Sequence, residues 1–395
     1  MKIIHFLLGI PDPHSMNGVN NVIHYLATEQ HKSGCDVEVW GVTATPHIVH
    51  HQHEYQLRLF NKALFPFFLA KDLRKTIYEV PFYEVPFRFF LAKDLRKAIY
   101  ELPSDTVAHL HSVFIPEFYV VSRHLKKREI PWVVTPHGGY SPGVLKKNRF
   151  AKTIYIALFE SLVVHEAKLV HVIGENEVND VKKFFRPKSI VLIPNGQDLN
   201  ELAFSRKKLD RPNRPVFGFC GRLAKPKGLD LLIEGFSLYK NGGGSGELWL
   251  IGDGQDRETL LAQAARLGIS DEILFLGSMF GEEKLNRLAH LDVFIHTSRR
   301  DGLPTAVLEA AGLSKPLLIS KATNLAGYVD RWRCGLVLEK NAPTNIADAL
   351  SVMAAKYQTG ELRLLGENAN AMIRRDFQWP SIASRLLREA YLGDC

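Results

Sequence analysis

What most constrains this chain is the alternation, from end to end, of short apolar runs with amphipathic stretches. The runs are Ile3–Leu8, Val37–Val42, Val107–Leu110, Trp132–Thr135, Leu169–Ile173 and Ile190–Ile193 in the first half. In the second they are Val216–Cys220, Leu248–Ile251, Ile273–Leu276, Val293–His296 and Leu317–Ser320. Strands buried on both faces read as short continuous apolar runs, and helical crossovers between them generate parallel sheets. Each half holds enough runs for its own doubly wound sheet, and 395 residues suit two cores better than one. The turn Pro194-Asn195-Gly196-Gln197-Asp198 and the charged stretch up to Pro215 divide the halves. The expected organisation is therefore an α/β protein with a first domain over 1–196, a second over 197–374, and a closing segment over 375–395. Apolar residues at helical spacing from about Trp379 to Leu392 could pack on either half.

Composition narrows the class. Hydrophobic residues make up 46% and charged ones 23%, as in globular proteins, and no apolar run reaches eighteen residues. The apolar start Met1–Ile10 lacks a small-residue cleavage site and runs into Pro-Asp-Pro, so it reads as a buried first strand. Cys35, Cys220, Cys334 and Cys395 stand far apart, which points to free thiols and a cytoplasmic location. The net charge of +8 comes without a basic, aromatic-interleaved stripe, so nucleic acid is not expected. Anionic small molecules and the inner face of an anionic membrane explain it equally well.

A segment of the first half is duplicated. Phe67–Pro81 recurs almost unchanged as Phe89–Pro103, shifted by 22 residues. Two copies are too few for a solenoid. Each copy reads as a short helix carrying Lys71, Arg74 and Lys75, or Lys93, Arg96 and Lys97. Such a helix meets an anionic membrane or a lipid-borne acceptor, or its basic residues are simply solvated; the sequence weighs the two evenly.

Two motifs carry chemistry. Gly221-Arg222-Leu223-Ala224-Lys225-Pro226-Lys227-Gly228 follows directly on a predicted strand, where doubly wound sheets bind ligands. Its glycines let backbone approach a phosphate, and Arg222 and Lys227 supply positive charge. The second is Ser298-Arg299-Arg300-Asp301-Gly302-Leu303-Pro304-Thr305, which leads into a helix bearing Glu309. Pro304 suits the first helical position, and the amides of a helix start form an anion site. Asp301 and Glu309, eight apart, could reach opposite ends of one ligand, with Glu309 accepting hydrogen bonds from a vicinal diol such as ribose.

In their order along the chain these motifs resemble the retaining glycosyltransferase family 4, with its GT-B fold of two Rossmann-like domains facing a cleft. The matching elements are G-R-x-x-x-x-K-G, Leu250–Gly254, Phe275–Gly277 and the S-x-x-x-G-x-P-x-x-x-L-E-A block. In the first half Met16–Val19, His109-Leu110-His111, Thr135–Gly138 and Ile193–Gly196 also match. The resemblance implies that Arg222 and Lys227 hold a diphosphate and Glu309 the ribose. It implies that backbone at Gly277, Ser278 and Met279 reads the base, and that Gly302, Leu303, Pro304 and Thr305 touch phosphate or sugar. Gly18 and Gly252 fall on the donor side. His137 lines the reacting sugar beside Asp301, while Asn17, His111 and Gly138 face the acceptor. The last helix is implied to cross back onto the first domain. The implied reaction is transfer of a hexose from a nucleotide diphosphate sugar, UDP-glucose favoured, to a carbohydrate or lipid-linked acceptor of cell-surface polysaccharide synthesis, without a metal or other cofactor. Two positions depart from the family pattern: Asp301 stands where Glu is usual, and Asn17 where the first of two glycines is usual. The rival readings are a nucleotide-sugar epimerase of the same fold and a non-catalytic sugar-nucleotide-binding protein.

Other matches carry little. Gly139-Tyr140-Ser141-Pro142-Gly143 fits a hydrolase nucleophile elbow, but Pro142 lacks the N–H that would hold the oxyanion. His47, His50, His51 and His53 lack a cysteine or carboxylate at ligand spacing. No Asp-x-Asp, Walker A or G-x-G-x-x-G motif occurs. His109 and His111 read equally as core histidines or as site residues.

Overall fold

A computed structural model describes residues 1–10, 18–44, 54–62, 91–146, 148–202 and 213–393. The histidine-rich tract at 47–53, the first copy of the duplication and Asn17 lie outside them. The chain divides into two compact units, Met1–Pro194 with Ile382–Cys395, and Asn195–Ser381.

The first unit is built on seven parallel strands: β1 (Lys2–Leu8), β2 (Asp36–Thr43), β3 (Gln56–Asn61), β4 (Thr106–His111), β5 (Trp132–Thr135), β6 (Leu169–Val172) and β7 (Ile190–Leu192). Their order is β3-β2-β1-β4-β5-β6-β7. The second unit has six: β8 (Val216–Cys220), β9 (Glu247–Ile251), β10 (Ile273–Gly277), β11 (Val293–His296), β12 (Leu317–Ser320) and β13 (Gly335–Leu338), in the order β10-β9-β8-β11-β12-β13. The strand order reverses between β1 and β4 in one sheet and between β8 and β11 in the other. Loops leaving adjacent strands there diverge to opposite faces, and the gap at the carboxyl edge is where such sheets bind ligands.

Burial explains the apolar runs. Phe217, Phe219, Leu248, Leu250, Val293 and Ile295 pack on one face of the second sheet with Leu232, Ile233, Phe236 and Ile346. The alternate residues Val216, Trp249, Ile251, Phe294 and Ile319 pack on the other with Val307, Leu308 and Met372. In the first sheet Ile4, Phe6, Trp40, Leu110 and Val134 line one face. The opposite face at its centre is polar: His5, His109, His111, Thr135 and His171 are all buried there. The second copy of the duplication forms the helix Lys93–Tyr100, whose Leu95, Ala98 and Ile99 are core residues. Its apolar side is spent on the interior and Lys93, Arg96 and Lys97 are exposed, which for this copy supports the solvated reading over a lipid-facing one.

Candidate active site

At the carboxyl edge of the second sheet, loops from β8, β9 and β11 are packed too closely for side chains. A Cβ on Gly252 would lie 1.9 Å from the Gly221 carbonyl oxygen, and one on Gly228 2.1 Å from that of Thr297. Arg299 donates to the Lys225 and Pro226 carbonyls, each at 2.8 Å, and grips Asp230 with two bonds of 2.7 and 2.6 Å, while Asn341, after β13, donates to the Thr297 carbonyl at 2.6 Å. The loops after β8 and β11 are thereby tied to each other across the switch point.

Lys227 and the turn at Asp301 are brought together directly: the ammonium donates to the Asp301 carboxylate. His296, at the end of β11, lies 2.9 Å from the same oxygen, and Ser298 lies 2.9 Å from His296. Burial alone would raise the Asp301 pKa, but the His296 hydrogen bond and the Lys227 charge outweigh it and hold it down at about 2. Burial likewise lowers the pKa of His296, so a neutral ring donates through Nε2, and its Nδ1 is buried without a partner. A carboxyl depressed from about 3.9 in the unfolded chain to about 2 stabilises the fold above pH 4, and that contribution disappears as pH falls from 4 to 2. Asp301→Asn should therefore cost about 2 kcal/mol at pH 7 in urea unfolding, with the difference from wild type vanishing toward pH 2.

Arg222 is exposed on the same loop and makes no hydrogen bond or ion pair with a described residue. The helix after Asp301 spans Thr305–Gly312 with extended Pro304 as its N-cap, one position earlier than expected. Val307 and Leu308 donate to the Pro304 carbonyl, leaving the amides of Thr305 and Ala306 uncommitted among the described residues. Gly302 and Thr305 are exposed and Leu303 is half-buried. Glu309 accepts from Lys284 at 2.7 Å and lies near enough to Cys220, at the end of β8, to help burial push that thiol up to about 11. Lys284 was not legible as a site residue, since it sits alone in a helix without a motif. Gly277 has φ +73° and its carbonyl accepts from the Gly252 amide at 2.7 Å, joining the ends of β9 and β10. Ser278 is exposed and Met279 half-buried beside them.

The first unit gathers the remaining expected residues at the carboxyl edge of its own sheet. Gly18 opens the helix Gly18–Lys32 after β1. His137 and Gly138 follow β5 with φ of +50° and +76°. A left-handed histidine is strained and persists only where its surroundings enforce it. Here buried Glu177 accepts the amides of Gly138 and Ile173, holding the turn, a role no motif announced. His111 lies 3.0 Å from His137 and 2.9 Å from His5. The ring nitrogens of His5, His109 and His111 come close enough together to invite a cation. Each of those rings, however, already forms a hydrogen bond through both nitrogens, and no carboxylate is within the cluster to offset burial of a divalent charge. The trio fits a hydrogen-bonded core better than a metal centre.

These two doubly wound sheets define the class: the fold is that of the GT-B glycosyltransferases. It matches sucrose-phosphate synthase from Thermosynechococcus elongatus (TM-score 0.70, 19% identity, all of both chains) and Anabaena Alr3699/HepE in complex with UDP (TM-score 0.70, 17% identity, 98% of this chain and 99% of that one). Residues 16–201 match the profile of Glycosyltransferase Family 4 and residues 201–371 that of Glycosyl transferases group 1. The chain belongs to glycosyltransferase family 4. Among curated relatives it is 26% identical over 287 residues to the D-inositol 3-phosphate glycosyltransferase of Corynebacterium jeikeium, covering 65% of this chain and 66% of that one. It is 28% identical over 155 residues to the lipopolysaccharide core biosynthesis glycosyltransferase LpsE of Rhizobium meliloti, covering 39% and 44%. The matches thus span less than two thirds of these relatives' own lengths.

Proposed function

We propose that this protein is a retaining glycosyltransferase that moves a hexose from a nucleotide diphosphate donor, UDP-glucose favoured, to a hydroxyl of a carbohydrate or lipid-linked acceptor. The observation that carries the reading is the convergence of Lys227, Asp301 and the start of helix Thr305–Gly312 at the β8/β11 switch point. A departing diphosphate gains negative charge, and a cation beside uncommitted helix amides stabilises that gain. Residues of this kind serve in place of a metal, so the reaction is proposed as metal-independent. In a front-face retaining reaction the leaving phosphate takes the acceptor's proton, and no protein base is needed. A UDP-sugar is supported by HepE, whose crystals hold UDP-glucose, and a polysaccharide acceptor by relatives named for lipopolysaccharide and capsule synthesis.

The donor domain is proposed to be the second unit and the acceptor domain the first. No helix among the described residues is long and apolar enough to cross a membrane. Val144, on the helix Pro142–Lys146, and Phe150, Leu158 and Leu162, on the helical segments from Arg149 to Glu166, are exposed, and these segments also carry Lys146, Arg149 and Lys152, which supports peripheral contact with an anionic surface.

Thermal-shift titration with nucleoside diphosphates and their sugars tests the donor, and labelled donor with a lipid extract tests transfer. Arg222→Ala is expected to lower turnover about 10²-fold at unchanged melting temperature. Near-normal transfer by that variant would refute the role of Arg222, and epimerised free donor or binding without transfer would replace the reading itself.

A further inference from the structure

Nine groups in the first unit form one hydrogen-bonded file. From its inner end these are the Ile193 carbonyl to His171 Nε2 (2.8 Å), His171 Nδ1 to Thr135 Oγ1 (2.8 Å), and Thr135 Oγ1 to His109 Nε2 (2.6 Å). The file continues from His109 Nδ1 to the Tyr391 hydroxyl (2.6 Å), on to the Gln30 amide (3.4 Å), and from Gln30 to His5 Nε2 (2.8 Å). It ends with His5 Nδ1 to His111 Nε2 (2.9 Å) and His111 Nδ1 to His137 Nε2 (3.0 Å). All the side chains before His137 are buried, and burial lowers the pKa of all five imidazoles. Each ring is therefore neutral, with one donor and one acceptor nitrogen.

That constraint gives the file a direction. A backbone carbonyl only accepts, so His171 carries its proton on Nε2 and its Nδ1 accepts from Thr135. Thr135 must then accept from His109 Nε2–H, and His109 Nδ1 accepts from Tyr391. The tyrosine proton is now committed, so its oxygen needs a donor, and the Gln30 amide must present its NH₂. The amide oxygen consequently faces His5 and requires His5 Nε2–H. His5 Nδ1 accepts from His111 Nε2–H, and His111 Nδ1 accepts from His137 Nε2–H. Flipping any link would set two oxygens, or two lone pairs, against each other without a proton, which costs about 1–3 kcal/mol when buried.

We infer that Gln30, Tyr391 and Thr135 are positioning residues: through this file they hold His137 as its Nε2–H tautomer, leaving Nδ1 as a hydrogen-bond acceptor for a hydroxyl of the bound sugar. The inference rests on the proposed sugar-lining role of His137 only for the identity of that hydroxyl. A fixed acceptor recognises a hydroxyl and rejects a fluorine or a hydrogen in its place.

Histidine-labelled full-length protein, read by long-range ¹H–¹⁵N correlation with His137→Asn for assignment, tests the tautomer directly. Wild type is expected to show His137 protonated on Nε2 alone. Gln30→Met, Thr135→Val and Tyr391→Phe are each expected to give mixed His137 tautomers and about a tenfold loss of kcat with donor KM within threefold. An Nδ1–H or mixed His137 in wild type, or an unaltered tautomer in those variants that fold, overturns the inference. A correct tautomer with normal transfer by His137→Asn supports the file and instead sinks the sugar-lining role, so the two failures are distinguishable.

Discussion

Lys227→Ala should lower kcat by about 10²- to 10³-fold while donor KM moves only a few-fold, because the charge it answers grows as the sugar–phosphate bond breaks. In the resting protein its ammonium is held by Asp301 at the β8/β11 switch point. Asp301, shared with His296, keeps the lysine ordered where an incoming diphosphate can compete for it. The substitution also leaves Asp301 with only His296 and the Ser298 hydroxyl as partners, so a displaced loop can contribute to the loss. A double-mutant cycle with Asp301→Asn separates the two. If Lys227 acts mainly on the leaving group, the kcat loss persists in the Asp301→Asn background; if it only positions the loop, the double variant recovers most of it. Steady-state kinetics with circular dichroism of each variant make the measurement, and wild-type kcat in a folded Lys227→Ala protein would sink the assignment.

The same pair shows how far sequence reaches into a site of this kind. Motif chemistry placed Lys227, Asp301 and Glu309 on one ligand-binding edge because each sits just after a strand or in the first turns of a helix, positions that topology forces together. It read Asp301 and Glu309 as reaching opposite ends of one ligand, and did not show that the Asp301 carboxylate is also bonded to Lys227 and His296. Such pairing is set by loop packing, and no motif encodes it. Lys284 on Glu309 and Glu177 beneath Gly138 were hidden for the same reason.

Strand recognition failed in two places. β3 and β13 each lie at one edge of their sheet, opposite β7 and β10. β3 alternates exposed with more covered residues over Gln56–Asn61 and β13 is only partly buried. β3, with Arg58 between Leu57 and Leu59, has no continuous apolar run, and the run of β13 is only Leu336-Val337-Leu338, shorter than the runs that marked the other strands. Conversely, His5, His109, His111 and His171 lie within otherwise apolar strands. Their place on a single sheet face follows from register, with His5 opposite His109 and His111 opposite Thr135. Strand spacing alone puts His109 and His111 on one face, but the partners on β1 and β6 depend on strand order.

Gly252→Ala should be the most damaging single-atom change in the second unit, lowering its melting temperature by about 10 °C. Gly252 has φ +141°, a backbone region that side chains rarely adopt, and the added Cβ would meet the Gly221 carbonyl oxygen at 1.9 Å and its carbon at 2.9 Å. These are backbone atoms in a loop whose Gly221 amide is already bonded to Ile251, and the Gly252 amide is bonded to Gly277 at the end of β10. Neither side can yield without breaking a bond between strand ends. Strain and overpacking together cost about 3–5 kcal/mol, and a unit of this size loses about 2–4 °C per kcal/mol. Gly302→Ala is the control: nothing lies within 4 Å of its Cβ position and its φ is not positive, so its melting temperature should stay within about 2 °C of wild type. Calorimetry on the full chain reads both. A Gly252→Ala protein melting with the control would mean that the loops after β8 and β9 are not in contact, and the close backbone approach at the carboxyl edge of the second sheet would go with them.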